Sequence, residues 1–162
     1  MMRHTLVTVG EVRAPYFRTA CDEYLRRLRP YARVEIVSVS GQRIPGSISP
    51  AERQGLVSRE SDALVRAAPD RAGSLWVSLD ERGKQMTSVR LAGFLSETAV
   101  GGRSHVVWFI GGPLGLSRSL ISDSQLHMSL SALTFPHEMV PVILLEQIYR
   151  SCRIQRGEPY HC

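Results

Sequence analysis

Strand-like apolar runs that alternate with stretches of helical spacing constrain the fold of this chain more than any other feature. HTLVTV (4–9), VEIVSV (34–39), SLWVSLD (74–80) and HVVWFI (105–110) read as strands, and a short fifth is expected around MSLSALTF (128–135). The first strand is followed by Pro15 at a first helical turn and by Phe17, Ala20, Cys21, Tyr24 and Leu28 on one face, with Pro30 as the stop. Ser49-Pro50-Ala51-Glu52 has the spacing of a capping box and opens a second helix through Leu56, Val57, Leu64 and Val65. Thr87 or Ser88 caps a third helix with Leu91, Phe94, Leu95 and Thr98, which Gly101 and Gly102 end, and ERGKQM before it reads as a loop. A polar helix is expected near 117–127. The last helix begins after Pro136 and aligns Val140, Pro141, Leu144, Leu145, Ile148, Tyr149 and Cys152, while Val142 and Ile143 point elsewhere. A helix apolar on two sides must bury both, centrally or against a second subunit.

Five such alternations without a repeat predict an α/β fold: a mostly parallel sheet covered by helices on both faces. Ligands gather at the carboxyl ends of such strands. Leu79-Asp80, Gly111-Gly112 and Leu130 to Phe135 are therefore candidate walls of one site. The 162 residues suit a single domain, and a chain of this length hides roughly two thirds of its unfolded surface. The longest apolar runs are far short of the roughly 20 residues that cross a bilayer. MMRHTLVTVGE lacks the pattern of a secretion signal, so the cytoplasm is the expected location. Cys21, Cys152 and Cys162 are too few and too scattered for a disulfide framework, and without a CxxC pair no metal is expected. Of the 20 basic residues, 19 are Arg and only Lys84 is lysine; residues 1–60 hold ten Arg against six acids. Arg suits phosphate and nucleic acid, which fits a polyanionic partner, although a GC-rich genome supplies the same bias.

Three motifs bear on chemistry. FIGGPLGLS (109–117) lacks both the GK[ST] of a phosphate loop and the GxGxxG spacing of a dinucleotide site, and Pro113 removes a donor from the turn. Either a neutral or cationic ligand approaches Gly111 and Gly112, or this is a plain strand-to-helix turn. SLSALTFPHEMV (129–140) is either a backbone-lined slot for a ring such as adenine or an entry to a helix whose dipole Glu138 suits. GEPYHC sets Tyr160 and His161 on a terminus that either frays or folds over a site, presenting a stacking ring and an acid–base group.

Taken together, TLVTVG, EYLRRL, the SLD strand, IGGPLGLS, LSALTFPHEMVPVILLEQIYR and RGEPYH resemble the large-subunit ribosomal RNA methyltransferase H family of the SPOUT superfamily, nearly from end to end. The resemblance implies a C-terminal trefoil knot, roughly over 104–158, a homodimer, and S-adenosylmethionine as cofactor. It further implies transfer of a methyl group to N3 of a pseudouridine in large-subunit (23S) ribosomal RNA on assembled ribosomes. It assigns the cofactor wall to Leu79, Gly111, Gly112 and the main chain of Leu130, Ser131, Ala132, Leu133, Thr134 and Phe135. For the chemistry it points to His161, which either assists loss of the N3 proton or holds the base, with Tyr160 packed against the base and Arg150 and Arg153 steadying phosphate or base carbonyls. Relatives often carry Arg where this chain has Pro141, and Leu114 takes the variable position of GGPxG. A ribosome-binding protein of the same fold without catalysis is the alternative. A nucleotide-dependent oxidoreductase is a poor third, since neither GxGxxG nor a ribose-binding acid follows the first strand.

Overall fold

A computed structural model describes residues 1–161; the thiol of Cys162, expected beside the tail, lies outside them. The order of elements is β1 (Arg3–Val9), α1 (Pro15–Leu28), β2 (Arg33–Val39), α2 (Pro50–Ala67), β3 (Ser74–Lys84), α3 (Ser88–Val100), β4 (His105–Ile110), α4 (Arg118–Asp123), β5 (Leu126–Met128) and α5 (Val140–Gln155). The strands form one sheet in the order β2-β1-β4-β3-β5, and every neighbouring pair is parallel. β4 lies at its centre with all six residues buried, as a strand covered on both faces must be. Its alternate side chains enter two separate cores. Val106, Trp108 and Ile110 join Cys21 and Leu28 of α1, Leu91 and Leu95 of α3, and Leu144, Leu145 and Ile148 of α5. Val107 and Phe109 join Leu64 of α2 and Leu120 of α4.

The helix starts follow from the residues named above. Pro15 occupies the first turn of α1, Ser49 and Glu52 form the reciprocal capping box of α2, and the Thr87 side chain accepts from Arg90 N–H. The helix expected over 117–127 is only α4, because Gln125 leaves it to pair with β3: its N–H donates to Trp76 O at 3.0 Å and its side chain accepts from Trp76 N–H at 2.7 Å. The fifth strand is Leu126–Met128 rather than 128–135, and 129–139 forms turns, so α5 starts at Val140. ERGK is not a loop but the end of β3, which resumes pairing with β5 after an irregularity between Leu79 and Lys84. Gly83 permits this: a Cβ there would lie 2.7 Å from Met128 N. Among the described residues no helix is long and apolar enough to cross a membrane.

Deep in the first core, Trp108 Nε1 donates to His4 Nδ1 at 3.1 Å, so this nitrogen must be unprotonated. Burial, assisted by His105, lowers the His4 pKa from 6.5 to about 3. In the unfolded chain the imidazole binds its proton near pH 6.5, so this site's contribution to stability is complete above that pH and declines as pH falls toward 3. Denaturant unfolding of the native chain is expected to lose about 2 kcal/mol through this site between pH 6.5 and 5. His4→Asn, which retains an acceptor for Trp108, should flatten that part of the profile; an unchanged slope would remove His4 as its source.

Candidate functional site

The pairing of β3 with β4 ends at Leu79 opposite Ile110, and the segment after β5 runs past both positions. Together they enclose a cavity of about 1040 Å³. Leu79, Gly111, Gly112, Leu130, Ser131, Leu133, Thr134 and Phe135 all line it. Ala132 is exposed and does not. Three stretches separated by some thirty and twenty residues in sequence thus share one space because β3 and β4 are neighbours and parallel. From 130 to 135 the chain belongs to no strand, which leaves its main chain outside the sheet ladder. Ser131 Oγ shapes the segment by accepting Leu133 N–H at 3.0 Å, and Ser129 Oγ donates to Ser131 O at 2.8 Å.

Within the chain itself the two glycines serve the turn. A Cβ on Gly111 would sit 2.8 Å from the carbonyl of Gly115, which the turn itself brings back through Gly115 N–H to Gly112 O at 3.0 Å. Gly115 adopts φ +83°, the left-handed region open to glycine. A Cβ on Gly112 would face away from the strand end, 3.1 Å from Val9 Cγ1 and 3.4 Å from Glu60 Oε2. The first glycine lets the turn fold on itself, and the second lets it close against β1 and α2.

α2 supplies the support. Glu60 and Ser61 are each 2% exposed and share the buried face with Leu56 and Leu64. Glu60 Oε1 accepts Gln42 N–H at 2.9 Å, and Ser61 Oγ accepts Ser117 N–H at 2.9 Å. Ser117 in turn caps α4 by accepting Leu120 N–H at 3.2 Å. Ser61 therefore holds the end of the 111–117 turn from behind, Glu60 beside it holds the loop after β2, and neither lines the cavity. Neither was singled out from sequence. The available signal was their position, four residues after Leu56 and Val57 and four before Leu64 and Val65, where the pattern otherwise asks for apolar groups.

Two acids follow Leu79 on the cavity wall. Asp80 is gripped by Arg82, whose Nε and Nη2 donate to its two oxygens at 2.9 Å each; the guanidinium holds this carboxyl below its usual range. His127 Nε2 lies 3.6 Å from the same carboxylate. Glu81 lies 3.4 Å from the Thr134 hydroxyl. Glu138 does not serve the dipole of α5, which starts later. Its Oε1 accepts the N–H groups of Arg13 and, at 3.1 Å, of Ala14, and these two bonds depress its pKa. Because Ala14 is the N-cap of α1, Glu138 fixes the entry to that helix by bonding the main chain just before its first turn.

The tail neither frays nor folds over this cavity. Glu158 accepts from Tyr31 Oη at 2.7 Å and pairs with Arg153 Nε at 2.5 Å. Tyr160 Oη donates to Glu146 Oε1 at 3.1 Å, edge-on to Tyr149 and with the Arg150 guanidinium 4.8 Å from its ring centre. Burial and the bonds to Tyr24 and Glu146 push the Tyr160 phenol up. Arg150 pairs with Glu146 at 2.6 Å and reaches His161 Nδ1 at 3.3 Å. Arg150, Tyr160 and His161 thus meet one another, yet none of them lines the glycine cavity of its own chain.

Comparison with known proteins agrees with this geometry. Residues 2–161 match the family described as predicted SPOUT methyltransferase. A protein of Symbiobacterium thermophilum named ribosomal RNA large subunit methyltransferase H is 48% identical over 160 residues, covering 99% of each chain. Proteins of the same name from Moorella thermoacetica and Acetivibrio thermocellus are 42% and 40% identical, again over 99% of each chain. A five-stranded parallel sheet with its cavity at the strand ends, together with this likeness from end to end, places the chain in the ribosomal RNA large subunit methyltransferase H family of SPOUT methyltransferases.

Proposed function

We propose that this protein methylates N3 of a pseudouridine in large-subunit (23S) ribosomal RNA on assembled ribosomes, using S-adenosylmethionine. The observation that carries the reading is the gathering of eight of the nine assigned cofactor-wall residues around one cavity. That wall fits the cofactor. Leu79, Ile110 and Leu130 present apolar surface to an adenine ring, and the main chain from 130 to 135 can read its hydrogen-bonding edge. The cofactor, when bound, supplies an activated methyl group on a sulfonium.

What remains for the protein is alignment, exclusion of water and removal of the imide proton. His161 is the group assigned to take that proton from N3, with Tyr160 packing against the base and Arg150 and Arg153 steadying phosphate or carbonyl oxygens. In one chain these groups cluster on α5, away from its own cavity. In a homodimer the tail of one subunit would instead serve the cavity of the other. The resemblance also carries a trefoil knot over roughly 104–158, in which the 129–139 segment and α5 would be drawn through the chain beside the glycine turn.

The test is incubation of labelled S-adenosylmethionine with ribosomes from cells lacking this protein, followed by mass analysis of ribosomal RNA fragments. One added methyl on a single pseudouridine is expected. No transfer, alongside stable ribosome binding, would favour a non-catalytic ribosome-binding protein. Gly111→Ala should weaken S-adenosylhomocysteine binding at least tenfold by calorimetry, because the turn must open to relieve a 2.8 Å contact, while the far-ultraviolet dichroism stays native. Unaltered affinity would detach the turn from the cofactor. His161→Ala should lower kcat by about 10²–10⁴, the usual scale of general acid–base assistance, with cofactor affinity intact; full methyl transfer would remove His161 from the mechanism.

A further inference from the structure

The cavity extends beyond the walls assigned to the cofactor. Its far side is formed by the first two turns of α2 and the start of α4, with Arg53, Gln54 and Ser58 on one helix and Arg118 and Ser119 on the other. At about 1040 Å³ it lies at the top of the roughly 300–1,000 Å³ range of small-ligand sites. The two helices are registered to each other by the Ser61 to Ser117 bond, so the two arginines are held on one rim.

The charges on that rim are unequal in availability. Asp80 is engaged by Arg82. Glu52, beside Arg53, is engaged by Ser49 N–H at 2.7 Å in the capping box. Glu81 lies by Thr134. Arg53 and Arg118 are exposed and form no salt bridge among the described residues. Both also sit in the first turn of their helices, where a cation opposes the helix dipole, so local helix stability does not explain them.

Resting on the reading that the cavity takes S-adenosylmethionine and serves an RNA, we propose that Arg53 and Arg118 seat the backbone phosphates that flank the target nucleotide. A bound cofactor carries a sulfonium and an ammonium against one carboxylate, so its net charge is positive and an arginine rim does not attract it as a whole. A polyanion is attracted, and the guanidinium fork matches a phosphate oxygen pair. Phosphate contacts of this kind fix the register of the substrate without reading its sequence. Arg82 is excluded from the pair because Asp80 already occupies its fork.

The test uses the full-length protein, with Arg53→Glu, Arg118→Glu and their Lys counterparts. Methyl transfer to ribosomes from cells lacking the protein is measured across a salt series, and S-adenosylhomocysteine binding is measured by calorimetry. The expected result is a raised KM for ribosomes in each Glu variant, with kcat and cofactor affinity unchanged. The logarithmic salt dependence should also become shallower by about one for each arginine lost, and the Lys variants should restore both readouts. Weakened cofactor binding would overturn the proposal by assigning the arginines to the cofactor's carboxylate. An unchanged KM and salt slope would overturn it as well. If the unaltered protein neither binds S-adenosylhomocysteine nor transfers methyl, the underlying reading fails and this proposal falls with it; loss of ribosome affinity confined to the variants separates the two cases.

Discussion

The burial of β4 between β1 and β3 is the constraint from which the rest of the structure follows. All six residues of HVVWFI are buried, Val106, Trp108 and Ile110 in one core and Val107 and Phe109 in the other, so the strand has no freedom of register. Its parallel neighbours bring the end of β3 level with its own end, Leu79 opposite Ile110. The chain must then turn at Gly111 with the sheet below it and α2 behind it. A residue with a side chain meets the Gly115 carbonyl there, and at the next position it meets Val9 and Glu60. The cavity is therefore a consequence of how a fully buried strand ends.

Polar groups around the cavity are committed chiefly to the backbone. Glu60 holds the start of the loop after β2, Ser61 holds the entry to α4, and Glu138 holds the entry to α1. Each bonds a main-chain N–H in a stretch that lacks a ladder or helix partner, the groups that are most costly to leave unpaired when buried. Charge-assisted bonds to main-chain donors are also stronger than neutral ones. The site is thus shaped by acids and a hydroxyl outside its catalytic assignments, and Glu138 couples the 129–139 segment to the start of α1.

Much of this was legible from residue order. Alternating apolar runs led to the parallel sheet; Pro15, Ser49 with Glu52, and Thr87 marked the helix starts; and the glycine turn, the 130–135 segment and Leu79 were read as walls of one site. The failures have specific causes. The length of β3 depended on Gly83 lying against Met128, a contact between positions 45 residues apart that no local pattern records. The fifth strand was placed too late because Gln125 pairs with Trp76, so an amide side chain rather than an apolar run sets where pairing begins. Glu138 was read through its neighbours in sequence, whereas its partners are Arg13 and Ala14. The sequence leaves the tail either fraying or folding over a site, whereas its place on α5 rests on Glu146, Tyr149 and Tyr31, which sequence spacing does not connect to it.

A cofactor that carries its own activated group asks the protein for geometry more than for reactive side chains. The cavity agrees with that division in part: Leu79, Ile110, the glycine turn and the 130–135 segment line it beside serines and charged groups, and Asp80 among them is already bound by Arg82. Arg53 and Arg118 lie on one rim of it, and Arg150, Tyr160 and His161 lie apart from it on α5. On the proposed reading, the cofactor wall lies within one chain, whereas the groups assigned to the target base lie outside that chain's own cavity. On that reading, methyl donor and proton acceptor would meet only once both the cofactor and the target are in place, which would disfavour transfer to a wrong acceptor.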